Sequence, residues 1–98
     1  MTDIDILVPL KIDLQLSTTA LDGYLLDLIN EAKTAIKIEG VELDDVDYEH
    51  GMLIENYAAS IYRERHGDQK QAMPRSLRWR LNNLLFHQKA GDGDGRNC

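Results

Sequence analysis

This 98-residue chain has one cysteine, Cys98, its last residue, so no intrachain disulfide can form and the sequence fits a reducing compartment. It has two prolines and six aromatic residues, and no apolar run near the ~20 residues that a membrane span requires. The acidic start has no basic segment leading into an apolar one, so no signal peptide is expected. Glycine occurs seven times but never as a Walker or GxGxxG phosphate cradle. His50, His66 and His87 are too far apart for a helix-turn metal pair, and the Asp92-Gly93-Asp94-Gly95 stretch lacks the later glutamate of a calcium loop. No GxSxG elbow is present, and Cys98 has no base near it in sequence. The acidic run Glu42, Asp44, Asp45, Asp47 and Glu49 is explained by capping and solubility, with nothing to set one carboxyl's pKa apart from another's. The residues point to no catalysis, cofactor or metal.

What is present is apolar patterning at helical spacing in a length that makes one domain. At 100° per residue, Leu77, Leu81, Leu84 and Leu85 share one stripe of a helix expected over residues 74–89, opened by Pro74. Trp79 and Phe86 lie on the opposite side, flanked by Arg75, Asn82 and Lys89. Such a helix has two faces to pack, one of them aromatic and basic.

Upstream, residues 19–38 predict an amphipathic helix, with Leu21, Tyr24, Leu25, Leu28, Ile29, Ala32, Ala35 and Ile36 on one side and Leu26 as the outlier. Ser17, Thr18 and Thr19 are N-cap candidates, Asp22 suits the first turn, and Gly40 is placed for a left-handed C-terminal cap. A third helix is expected over 47–65, with Asp44, Asp45 or Asp47 as its cap and His66-Gly67 as its end. It is apolar nearly all round, its polar strip narrowed to Glu49, Asn56, Ser60 and Arg63, so it should be buried on most sides. A polar loop is expected over 67–72 and a flexible tail over 91–98.

Residues 4–16 are ambiguous. Ile4, Ile6, Val8, Leu10, Ile12, Leu14 and Leu16 alternate as a half-buried strand would, but only Val41–Leu43 could pair with it. Leu7, Leu10 and Leu14 also share a helical face, and a short helix over about 8–16, with Pro9 near its first turn, is the preferred reading. The fold class expected is all-α, a small bundle of about four helices in one domain over 1–90.

Net charge is −6, against general affinity for nucleic acid. The charge is unevenly distributed: residues 1–56 carry 13 acids and 3 bases, residues 57–98 carry 4 acids and 8 bases. One reading is solvated helix faces; another is acidic and basic ends of neighbouring copies meeting head to tail. Arg75, Arg78, Arg80 and Lys89 interleaved with Trp79 and Phe86 could also contact nucleic acid, as a small helical DNA-binding regulator would. The 67–73 spacer is too long for a tight helix-turn-helix, and the remaining surface would repel DNA. Aromatic residues with arginine fit a protein interface better, and Arg75, Arg78, Trp79, Asn82, Phe86 and Lys89 are the candidate interface residues.

YAASIYRER at 57–65 and AMPRSLRWRLNNLLF at 72–86, with the YLLDLINEAK helix at 24–33, resemble the small head–tail connector proteins of tailed bacteriophages and prophages. The resemblance spans about residues 7–90. It implies a four-helix all-α structural protein without catalysis or cofactor. It also implies a homo-oligomeric ring, usually dodecameric, docked on the portal protein at the head–tail junction of a virion made in a bacterial host's cytoplasm. That ring would extend the channel for genomic DNA and receive the next tail-joining or stopper protein, with no membrane involved.

Overall fold

The computed structural model describes residues 1–67 and 75–97, with side chains described as far as Lys89. Four helices follow one another: α1 (Asp3–Asp13), α2 (Asp22–Ile38), α3 (Tyr48–His66) and α4 (Arg75–Asn97). No strand occurs among the described residues, and no helix there is long and apolar enough to cross a membrane.

The alternating N-terminal segment is a helix, and it starts five residues before the expected position. Thr2 fixes the start with a reciprocal capping box: its hydroxyl accepts from the Asp5 N–H at 3.2 Å, and the Asp5 carboxylate accepts from the Thr2 N–H at 2.9 Å. Those hydrogen bonds, the backbone one foremost, hold the Asp5 carboxyl below its ordinary pKa. Pro9 therefore sits inside α1 rather than in its first turn. The helix ends before residue 16, in a Schellman turn: Leu16 N–H bonds to Lys11 C=O, Gln15 N–H to Ile12 C=O, and Gln15 takes φ 58°. The alternation is resolved by splitting it. Ile6 and Leu10 are fully buried, while Ile4, Val8 and Ile12 point away from the core.

α2 starts at Asp22, later than expected, with Leu21 as an N-cap that makes no side-chain bond. Thr18 is not a helix cap; its hydroxyl closes a local turn by accepting from the Ala20 N–H. At the other end Gly40, at φ 103°, forms the left-handed cap, with Val41 N–H reaching Ile36 C=O and Gly40 N–H reaching Lys37 C=O. Val41 is then buried with Ile36, the hydrophobic contact such a turn brings. Leu26, the outlier of the helical wheel, is half-buried against the core edge.

α3 is the central element, packed by α1, α2 and α4. Asp47 is its N-cap, accepting from the Glu49 N–H at 2.8 Å. Small residues let its neighbours close in: Ala58, Ala59 and Ala32 of α2 are fully buried. Gly51 admits Met1 so closely that a Cβ there would lie 2.9 Å from Met1 Cβ and Cγ and collide with its Sδ. The core joins Ile6 and Leu10 of α1, Leu25, Leu28, Ile29 and Ile36 of α2, Leu53 and Ile54 of α3, and Leu77 and Leu81 of α4.

The leucine stripe of α4 packs on α3 as its spacing predicts, Leu77 and Leu81 buried and Leu84 and Leu85 half-buried. The α4 backbone continues beyond Lys89, where the periodicity ends it. Where the sequence predicts a tail over 91–98, the backbone of 91–97 is the last part of α4; Cys98, the loop at 68–72 and the Pro74 start lie outside the described residues.

Candidate functional site

The six residues singled out on α4 do not form one patch. Arg75, Trp79, Asn82, Phe86 and Lys89 are exposed along the outer face, and Trp79 and Phe86 are 69% and 68% exposed. Arg78 turns to the flank, half-buried, and its guanidinium bonds Glu39 Oε1 at 2.6 Å. It therefore ties α4 to the end of α2, and is removed from the candidate interface. On that same side Gln88 makes a two-way clasp with the backbone of Glu42, donating to its C=O at 2.8 Å and accepting from its N–H at 2.9 Å.

On the opposite flank a groove of about 460 Å³ runs between the start of α3 and the middle of α4. Its apolar walls are Met52 and Leu53 from α3 and Trp79 and Leu84 from α4, with Tyr48 at one end and Arg80 and Asn83 on the rim. Trp79 alone of the six lines it. Arg80 belongs to the basic set that the sequence offers to nucleic acid, whereas helical spacing does not single out Tyr48, the first residue of α3. Tyr48 is 65% exposed, next to Val46 at 88%.

The acidic connector between α2 and α3, residues 40–47, leads into this groove and is fixed from behind. His50, nearly buried, accepts from the Asp44 N–H through Nδ1 at 2.9 Å, which places its proton on Nε2, 3.6 Å from the Asp47 carboxylate. Glu42, Asp44, Asp45, Asp47 and Glu49 remain exposed. His66 stacks beside Tyr62 and hydrogen-bonds the Tyr24 hydroxyl at 3.0 Å, closing the far end of the bundle. His50 and His66 are thus structural, and among the described residues no three His, Cys, Asp or Glu side chains gather as a metal site requires.

The uneven charge is partly neutralised within the fold. Arg63 pairs with Asp13 at 2.8 Å and Arg65 with Glu31 at 2.6 Å, which joins basic positions of the second half to acidic ones of the first. Lys11–Asp22 and Lys33–Asp3 bind α1 to α2 in the same way. Exposed pairs of this kind add little stability each, but they discriminate against misaligned helices.

One buried carboxyl stands out. Glu55 is 4% exposed on the α1 side of α3, and its Oε2 has no hydrogen-bond partner. Burial and the neighbouring Asp13 carboxylate push its pKa up to about 8, against the pull of Arg63 and Arg80. It is therefore neutral at pH 7 and can donate to Asp13, which in turn pairs with Arg63.

The YAASIYRER and MPRSLRWRLNN segments also find their roles in packing: Ala58, Ala59, Leu77 and Leu81 are buried, and Arg63, Arg65 and Arg78 bridge helices. Compared with protein-family models, with curated proteins and with solved structures, the chain matches none of them.

Proposed function

We propose that this protein is a structural adaptor of the phage neck, assembling as a ring on the portal to join head to tail and extend the DNA channel. The observation that carries this reading is the unpartnered outer face of α4, where Trp79 and Phe86 stand two-thirds exposed between Arg75 and Lys89. Large aromatic residues held on a helix whose other side is anchored in the core suit a protein–protein contact. The resemblance of 57–65 and 72–86 to connector proteins supplies the setting, and the reading needs no catalytic group or cofactor.

The test is attachment. Trp79→Ala should leave the helices intact by circular dichroism and impair binding to DNA-filled heads that carry the portal. Full attachment of that variant would overturn the reading. The basic side chains Arg75, Arg80 and Lys89 on the same helix keep the DNA-binding regulator as the second reading. Saturable, sequence-dependent gel shifts at physiological salt would favour it instead.

A further inference from the structure

A second apolar stripe, on α1, is as exposed as the aromatic face of α4. Ile4, Val8 and Ile12, four residues apart, are 68%, 58% and 73% exposed, while the opposite side of α1 holds the buried Ile6 and Leu10. β-branched side chains on a regular stripe pointing away from the core are unusual for a surface that meets only water. Within the chain neither stripe covers the other, as their exposure shows.

We propose that the α1 stripe of one copy seats on the α4 face of a second copy, entering the α3–α4 groove and packing along Trp79 and Phe86. This names the partner of the α4 face, and it rests on the neck reading for its biological setting. Lengths agree. At 1.5 Å per residue, Ile4 to Ile12 spans about 12 Å and Trp79 to Phe86 about 10 Å.

Charge selects this pairing over the alternatives. The α1 stripe is edged by the exposed Asp5, and its N-terminal end lies beside the acidic connector, where the Met1 amino group donates to Asp45 C=O. The α4 face has Arg75, Arg80 and Lys89 exposed and no acidic residue between positions 75 and 89, and the groove beside it has a single carboxylate in its lining, Glu49 of α3. Two α1 stripes brought together would oppose carboxylates, and two α4 faces would oppose cations. One α1 against one α4 opposes unlike charges. Each copy then carries one donor stripe and one acceptor face, so copies add head to tail and either close into a ring or run on as a filament.

Sedimentation velocity on the full chain tests the pairing, with Val8→Asp as the donor defect and Trp79→Asp as the acceptor defect. Both positions are exposed, and circular dichroism checks that each variant keeps its helices. The wild-type chain should form larger species as concentration rises into the high micromolar range. Each variant alone should associate about thirty-fold more weakly or worse, as loss of an interface hot spot does. A mixture of the two variants retains one intact donor and one intact acceptor, and should sediment as a 1:1 dimer. Ile12→Asp with Phe86→Asp repeats the experiment at independent positions.

A wild-type chain that stays monomeric throughout, a Val8→Asp chain that still assembles, or a mixture that stays monomeric would each overturn the pairing. Failure of the neck reading looks different. If the variants behave as expected but wild-type protein does not attach to portal-bearing heads, the pairing stands and the neck reading falls. If heads take up Val8→Asp as well as wild type, the pairing falls and the neck reading stands.

Discussion

Glu55 is the residue with the clearest energetic signature. In the folded chain it keeps its proton up to about pH 8, whereas an unburied glutamate loses it near 4.5. The folded state thus binds more protons than the unfolded state across that window, so stability falls as pH rises from about 4.5 to 8. Glu55→Gln keeps the shape and the donor toward Asp13 and removes the titration. Urea denaturation should find the variant as stable as wild type below about pH 4 and more stable by on the order of 5 kcal/mol above pH 8. A parallel pH dependence in both chains would refute this account. Two backbone positions make an opposed pair. Gln15 holds a left-handed φ that glycine adopts without strain, so Gln15→Gly should gain about 0.5–1 kcal/mol. Gly40 holds φ 103°, a conformation that an L side chain rarely adopts, so Gly40→Ala should lose about 1–3 kcal/mol. Thermal melts of the two variants should move in opposite directions.

At the scale of the helix, α4 separates stability from function by face. Leu81 is 1% exposed in the seam with α3, and Leu81→Ala should cost about 3 kcal/mol by chemical denaturation. Trp79, on the exposed side, should change stability by less than about 0.5 kcal/mol when truncated to alanine. If Trp79→Ala instead melts the chain, Trp79 is core and α4 has one face rather than two. The helix periodicity made much of this readable: the leucine stripe, the buried nature of α3 and the Gly40 cap follow from spacing and from one glycine. The start of α1 did not, because an alternating apolar pattern satisfies a strand and two helical faces equally. Thr2 and Asp5 decided it by capping each other, three residues apart, which alternation does not register.

At the scale of the molecule, the uneven charge of the two halves has two destinations. Some of it is consumed inside, in Arg63–Asp13, Arg65–Glu31 and Arg78–Glu39. Among what stays exposed are Asp5 of α1 and Arg75, Arg80 and Lys89 of α4, and the proposed head-to-tail contact brings those unlike charges together. Assembly should therefore weaken as sodium chloride is raised several-fold, because screening reduces attraction between exposed unlike charges. Association held by apolar contact alone would not weaken, and a sedimentation series over salt distinguishes the two.

The sequence by itself determined the helical class, the order of the elements, the central position of α3 and the presence of a second face on α4. Those are local or one-dimensional properties, set by the period of apolar side chains and by capping chemistry. Which cations remain free, which carboxyl is buried and which side chains line the groove were decided only by the tertiary structure. Arg78 and Trp79 are adjacent in the chain, yet one is bonded to Glu39 and the other opens onto the groove with Tyr48 and Met52. Their difference comes from what α2 and α3 place beside α4, and those contacts link residues too far apart in the chain for any local pattern to encode.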